Sequence, residues 1–308
     1  MLISSDSRGR LTVLSRFGTD PGSLRASIYI PKSFPENGPL VVVLHGSGQS
    51  AESYDSGSGW SALADECSIA LLFPEQRRTN NATGSFNWFM PDDSRRGGGE
   101  ALSIRQMISQ VVDDHAVDPS RVFITGLSSG GAMTSVMLAT YPEVFAGGAI
   151  IAGLPYGSAD TLTQAIFRMK GYGQPLSDRE LNALVRGASR FTGPWPTISV
   201  WHGGRDTIVA SSNADSIVRQ WQKIHKVEGS PTRVEKVNGF RRQVWCDADG
   251  REVIEEYIIG RMGHGTPISA GGDEGLGEEG LGEEGKHMLE VGVSSTRRIA
   301  NFWGLTRK

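Results

Sequence analysis

The chain has 308 residues, 38% of them hydrophobic, and a formal net charge of -3. Because this composition gives no generally basic surface, it argues against nucleic acid or an anionic membrane as the partner and favours a small neutral or weakly charged substrate. No window reaches the ~18 consecutive apolar residues of a transmembrane helix, and the N-terminus lacks a signal-peptide pattern. As written, the chain is expected to be soluble and cytoplasmic, or extracellular if a leader has been removed.

Short runs rich in Val, Ile and Leu alternate with segments of helical periodicity. An early edge strand is predicted at 24–30, where apolar and polar residues alternate. Continuously apolar runs, typical of strands buried on both faces, lie at 40–46, 68–74, 121–126, 147–153 and 197–203. Helical spacing in 100–115 and 212–226 predicts helices that cover the sheet. This alternation indicates an α/β fold with a mainly parallel sheet and helices on both faces.

The pattern changes after residue 230. Three segments with a turn at "DADG" predict a hairpin that leads into a final strand, "VIEEYIIG". The chain then ends in a predicted helix that begins at Ser294 or Ser295. Its buried residues are expected to be Ile299, Phe302 and Trp303.

Two segments depart from the alternation. Residues 155–195 hold short helical patterns between two predicted strands, and we predict a small helical cap over one end of the sheet, because long insertions in compact domains are usually functional or disordered. The "GLGEE" repeat places acidic residues among glycines, which predicts a mobile acidic surface loop over 269–286. The loop is expected to have no catalytic duty; gating the site or repelling anionic ligands is the alternative.

A serine stands in a strand-to-helix motif in the middle of the chain. "GLSSG" places Gly126, Ser128 and Gly130 in the pattern G-x-S-x-G, directly after a predicted strand and before a segment of helical periodicity. Such a turn strains the serine backbone, and glycines two positions away on either side leave room for strand and helix. Ser129 fails this test because Leu127 stands two positions before it. The motif therefore predicts Ser128 as a nucleophile, with a purely structural turn as the alternative.

A serine nucleophile needs a base to take its proton and an acid to orient that base. His264 follows the last predicted strand, in the glycine-rich loop "GRMGHGT", and is predicted to be the base. His45 and His202 each end a strand in an "HG" pair, where they are expected to shape loops through hydrogen bonds. The other histidines are expected to be structural or exposed: His115, His225 and His287.

Asp206 is predicted to be the acid, because "WHGGRDTIV" places it in the loop after the strand predicted at 197–203. The alternatives are Asp215 on the next helix and the pair Asp113 and Asp114, all expected to be capping or surface carboxylates. An order of serine, acid and histidine along the chain is that of α/β hydrolases, and it differs from the trypsin-like and subtilisin-like orders. The whole chain, 1–308, is therefore predicted to be a single catalytic domain of the α/β-hydrolase fold.

An oxyanion hole requires backbone donors near the nucleophile. The N-H of Ser129 lies at the predicted start of a helix, where it can help to hold a developing oxyanion. The loop "LHGSGQS" supplies a second donor, the N-H of Ser47, and Gly46 lets that backbone approach the substrate. A plain glycine turn is the alternative for this loop.

Taken together, several segments resemble the esterase family of polyhydroxybutyrate depolymerases, which is similar to acetyl xylan and feruloyl esterases. They include "VVVLHGSGQSAESY", "FNWF", "RVFITGLSSGGAMT", "GPWPTISVWHG" and "GHGTPI". The resemblance implies an α/β hydrolase acting on carboxylic esters, with Ser128, Asp206 and His264 as its triad. Gln76 and Trp88 resemble pocket-lining positions of the family, and a core position is the alternative for Trp88. Many members have cysteine where Ser47 stands, but a backbone donor does not depend on that side chain.

The sequence thus predicts a serine esterase for short-chain or hydroxyalkanoate-type esters. A carbohydrate esterase that removes acetyl or feruloyl groups is the alternative; a peptidase or amidase, or a binding protein without catalysis, ranks below both. This chemistry requires no metal or cofactor, and the sequence has no H-E-x-x-H, C-x-x-C or calcium-loop pattern. The expected partner is a small or oligomeric ester, and the oligomeric state is left open.

Overall fold

The computed structural model describes residues 10–227, 229–271 and 280–306. The strands in chain order are β1 (Thr12–Val13), β2 (Arg25–Tyr29), β3 (Leu40–Leu44), β4 (Ala70–Glu75), β5 (Val122–Leu127), β6 (Gly147–Ile151), β7 (Thr197–Gly203), β8 (Arg233–Val237), β9 (Phe240–Cys246), β10 (Glu252–Ile259), β11 (Thr266–Ile268) and β12 (Met288–Glu290). The α-helices are α1 (Ala51–Ser58), α2 (Trp60–Cys67), α3 (Pro91–Ser94), α4 (Gly99–His115), α5 (Ser129–Thr140), α6 (Leu162–Met169), α7 (Asp178–Ala188), α8 (Ser212–Gln222) and α9 (Ser295–Phe302).

The main sheet has the strand order β1-β2-β4-β3-β5-β6-β7-β10-β9-β8. Its centre, from β4 to β10, is parallel, and antiparallel strands extend it on both sides. The strand predicted at 24–30 is present as β2, but it is not the edge, because β1 pairs with it on the outside. The parallel centre brings the carboxyl ends of β3, β5, β7 and β10 to one edge of the sheet, where ligands of open α/β sheets bind.

Alternate residues of the central strands enter two separate hydrophobic cores. In β3, Val42 and Leu44 pack into the core that also holds apolar residues of α4, α5 and α8. Val41 and Val43 pack into the opposite core with residues of α1, α2 and α9. Burial on both faces is the physical reason why the central strands have continuously apolar sequences.

The C-terminal third follows the predicted pattern with two differences. β8, β9 and β10 form an antiparallel meander, and the predicted helix is α9, whose N-cap Ser294 accepts a hydrogen bond from the Arg297 N-H at 3.2 Å. Ile299 and Trp303 of this segment are buried, whereas Phe302 is only half-buried. The second sheet, formed by β11 and β12, was not predicted.

Helices α6 and α7 occupy the segment between β6 and β7 in which a helical cap was predicted. The predicted acidic loop is described only at its two ends, since 272–279 lie outside the described residues. At its C-terminal end Leu281 is buried, and its N-H donates to the carbonyl oxygen of Ser269 at 2.9 Å. No helix within the described residues is both long enough and apolar enough to cross a bilayer.

Candidate active site

Ser128 lies between the end of β5 and the start of α5. Its φ of 56° and ψ of -115° put the backbone in a region that residues with a Cβ rarely adopt. Its N-H donates to the carbonyl oxygen of Ile151 at 2.9 Å, and its own carbonyl accepts from the N-H of Ala132 at 2.8 Å. Strand pairing on one side and the first helical turn on the other hold the strained conformation. Strain that is stabilised in this way is common at functional sites.

The two glycines of the motif are required by close backbone contacts. A Cβ on Gly126 would lie 2.5 Å from the carbonyl carbon and oxygen of Gly130. A Cβ on Gly130 would lie 2.5 Å from the carbonyl oxygens of Leu44 and His45 at the end of β3. The strand-to-helix turn therefore packs backbone against backbone, which is the geometry that the G-x-S-x-G spacing predicts for Ser128.

Asp206 and His264 meet at the same edge of the sheet. Asp206 follows β7 and His264 follows β10, and Nδ1 of His264 lies 2.6 Å from Oδ2 of Asp206. Because a carboxylate only accepts, Nδ1 carries the hydrogen, which leaves Nε2 of the imidazole as an acceptor in the neutral ring. The His264 side chain is 7% exposed and that of Asp206 fully buried. This tautomer suits a general base.

His202 also contacts Asp206. From the end of β7, its Nε2 lies 2.9 Å from the carbonyl oxygen of Val209 and 3.3 Å from Oδ2 of Asp206. The loop-shaping hydrogen bond was expected, but the contact with the carboxylate was not. Burial raises the pKa of Asp206, but hydrogen bonds from His202, His264 and the Val209 N-H outweigh it and hold that pKa well below its usual range. Asp206 is therefore a stable negative charge beside His264.

The loop after β3 reaches the first turn of α5. The Ser47 hydroxyl donates to the Ser129 hydroxyl at 3.2 Å and accepts from the Ser85 hydroxyl at 2.7 Å. Among the described residues, neither the N-H of Ser47 nor that of Ser129 has a hydrogen-bond partner. The structure thus brings together the two loops that were predicted to hold an oxyanion.

Gln76 and Trp88 are both buried, at 5% and 7% exposure. The Gln76 amide donates to Oε1 of Glu100 and to the carbonyl oxygen of Ser85, so its polar atoms are engaged within the protein. Trp88 belongs to the core that holds α4 and α5 and meets Phe89 edge to face. A contact of Gln76 and Trp88 with substrate stays a prediction. His45, expected to shape a loop, donates from Nδ1 to the Gly46 carbonyl and accepts at Nε2 from the N-H of Gln76.

His287 was expected to be structural or exposed, and it lies against His264. Its Nδ1 is 3.0 Å from the carbonyl oxygen of His264, and the two rings meet edge to face with centroids 5.5 Å apart. No motif marks His287, because it follows the acidic segment and lies 23 residues after His264 in the sequence. The pairing of β11 with β12 brings it to this position.

Comparison with known proteins identifies the family of this chain. A family model described as esterase PHB depolymerase matches residues 24–237. The chain belongs to this esterase family. Poly(3-hydroxyalkanoate) depolymerase C of Paucimonas lemoignei is 43% identical over 99% of this chain and 72% of its own length. Feruloyl esterase B of Thermothelomyces thermophilus is 33% identical over 84% of this chain and 89% of its own.

A solved structure, the acetyl xylan esterase from Aspergillus awamori, shares the fold of this esterase. Its TM-score is 0.79 at 21% identity, and the match covers 97% of this chain and 100% of that one. The fold is that of the α/β hydrolases, with a large, mostly parallel sheet between helical layers. The family and its named relatives establish the protein as a carboxylic ester hydrolase.

Proposed function

We propose that this esterase hydrolyses short-chain or hydroxyalkanoate-type esters through an acyl-enzyme on Ser128. The observation that carries the chemistry is the strained strand-to-helix turn at Ser128, on the same sheet edge as the hydrogen-bonded pair of Asp206 and His264. The relative named as a poly(3-hydroxyalkanoate) depolymerase, 43% identical along nearly the whole chain, supports the substrate class.

The reaction has two steps. Oγ of Ser128 attacks the ester carbonyl carbon while Nε2 of His264 accepts its proton, and the N-H groups of Ser47 and Ser129 stabilise the tetrahedral oxyanion. Collapse of this intermediate breaks the bond to the alcohol, which leaves with the proton from His264. Water then attacks the acyl-enzyme, gives a proton to His264, and releases the acid while the proton returns to Ser128. Asp206 keeps Nδ1 protonated and stabilises the imidazolium in both steps.

Hydrolysis of p-nitrophenyl esters from acetate to decanoate by the wild type, Ser128→Ala and Ser129→Ala tests this mechanism. We expect a preference for short chains and a loss of roughly 10⁶ in kcat for Ser128→Ala, by analogy with other triads. Ser129→Ala is the matched control, because its proposed role is carried by a backbone N-H that alanine keeps. A Ser128→Ala variant that keeps the wild-type kcat would contradict the assignment of Ser128 as the nucleophile.

The second candidate is a carbohydrate esterase that removes acetyl or feruloyl groups. The relative named feruloyl esterase B, 33% identical over most of both chains, favours it. The kcat/KM values for 3-hydroxybutyrate oligomers, acetylated xylo-oligosaccharides and methyl ferulate separate the candidates. We expect the oligomers to be preferred, and a higher kcat/KM for either carbohydrate-type ester would reverse the order. An anilide of the best acyl group tests for amidase activity, which we expect to be absent.

A further inference from the structure

His287 lies against the proposed base, His264. Its Nδ1 lies 3.0 Å from the carbonyl oxygen of His264. Because a carbonyl oxygen can only accept, Nδ1 of His287 carries the hydrogen and donates it. The two rings also meet edge to face, at 80° and 5.5 Å between centroids. The side chain of His287 therefore contacts both the main chain and the ring of His264.

The loop that carries His264 depends on such outside contacts. β10 ends at Ile259 and β11 begins at Thr266, and between them His264 is flanked directly by Gly263 and Gly265. Glycine leaves the backbone more conformational freedom than any other residue, so the loop sequence alone does not fix the direction of the imidazole. Asp206 fixes the ring at Nδ1, and the hydrogen bond from His287 fixes the main chain that carries it.

The backbone of His287 is itself held in place. The N-H of Thr266 donates to the carbonyl oxygen of His287 at 2.8 Å, where β11 and β12 begin to pair. The backbones approach so closely here that a Cβ on Gly265 would lie 2.7 Å from that oxygen. His287 has a φ of 64°, in the left-handed region that glycine and asparagine accept more readily than other residues. The strand pairing thus directs this side chain at His264 in spite of a strained backbone.

We propose that His287 is a positioning residue for ester hydrolysis. Its Nδ1-H holds the main chain of His264 so that the imidazole keeps its hydrogen bond with Asp206, on the sheet edge that also carries Ser128. This rests on the proposed function, since it takes His264 as the base. The segment after the acidic stretch thereby has a role in the site that no motif assigned to it.

Two variants at position 287 separate the hydrogen bond from the backbone strain. His287→Gly accepts the left-handed backbone but has no donor, whereas His287→Asn accepts it and offers an amide N-H close to the position of Nδ1. For a p-nitrophenyl ester of short chain, we expect kcat of His287→Gly to fall by about tenfold with KM within about twofold, the size of one lost hydrogen bond. His287→Asn should recover most of this loss. Lys286→Gly, at the exposed neighbouring position, is the control and should keep wild-type kcat.

Melting temperatures of the same variants are measured alongside. The proposal requires that His287→Asn regain kcat, whatever the change in stability. It is overturned if His287→Gly keeps wild-type kcat, or if both variants lose kcat equally, since the donor would then not matter. Failure of the proposed function would look different from failure of this proposal. It would appear as esterase activity retained in the Ser128→Ala variant, in which His287 is unchanged.

Discussion

The two oxygens of Asp206 have separate partners. Oδ1 accepts the N-H groups of Ile208 and Val209 at 2.8 and 2.9 Å, while Oδ2 accepts from His264 and faces His202. The backbone donors fix which oxygen points at His264. Because the hydrogen bonds hold the pKa of this carboxyl well below its usual range, we expect Asp206 to stay ionised even in mildly acidic solution.

This arrangement predicts the effect of Asp206→Asn. The backbone N-H groups require an acceptor at the position of Oδ1, so the asparagine amide nitrogen would face Nδ1 of His264. Nδ1 of His264 must then accept a hydrogen bond from this amide. The ring hydrogen therefore moves to Nε2, which gives the wrong tautomer for a base. We expect kcat to fall by about 10⁴ with a folded protein, as in other triads. Steady-state kinetics measure this, with the exposed Asp215→Asn as control.

If Asp206→Asn lowers kcat no more than Asp215→Asn does, Asp206 is not the acid of the triad. Circular dichroism of both variants shows whether a loss reflects unfolding instead. Among the carboxylates considered from the sequence, Asp206 has this contact with His264.

At the scale of elements, the antiparallel strands β8, β9 and β10 are joined by one arginine. Arg242 on β9 donates to Glu235 on β8 and to Glu252 and Glu255 on β10. Burial outweighs the charge of Arg242 and the hydrogen bond from Ser199, which both lower the pKa of Glu255, so that this pKa is raised to about 7. The Arg242 side chain is 11% exposed, whereas that of Arg233, which also pairs with Glu235 and Glu252, is 46% exposed.

Removing each arginine should therefore have different effects. Arg242→Met leaves Glu255 buried without its cation, and we expect the free energy of unfolding to fall by about 3–5 kcal/mol at pH 8. Arg233→Met breaks exposed pairs and should cost about 0–1 kcal/mol. Urea unfolding of both variants measures these losses.

The pH dependence gives a second check on Glu255. Its folded pKa is above that of the unfolded chain, so the folded state binds the proton more tightly, and ionisation above pH 7 leaves a buried charge. The loss in Arg242→Met should therefore shrink as the pH falls from 8 to 5. Equal losses in the two arginine variants at pH 8 would show that burial does not determine the strength of this network.

For the whole molecule, the segment between β6 and β7 shares its core with the sheet. Ala165 of α6 and Val185 of α7 belong to the same hydrophobic core as Val200 of β7 and Trp221 of α8. The Arg219 guanidinium on α8 pairs with Asp178 at the start of α7. A segment buried in this way is expected to unfold together with the sheet rather than by itself.

That the chain is one domain, with 155–195 as a cap, stays a prediction. Scanning calorimetry should show one cooperative transition, with calorimetric and van't Hoff enthalpies in agreement. Two resolved transitions, one of them lost on proteolytic cleavage within 170–176, would instead assign the segment to a separate unit.

The sequence by itself determined the central strands, the long helices, and the order of Ser128, Asp206 and His264. These features are local, since a buried strand, an amphipathic helix and a strained turn each impose a pattern on a few neighbouring residues. The prediction that the strand at 24–30 forms the edge of the sheet was wrong, because β1, with only two residues, leaves no such pattern in the sequence.

Only the tertiary structure decided the pairing of β11 with β12 and the position of His287. In both cases the contact joins residues that are far apart in the sequence, Thr266 with Met288 and His264 with His287. The burial of Gln76 was decided in the same way, by its bond to Glu100 on α4. Periodicity records which face of an element is buried, but it carries no information about which distant residue will lie against it.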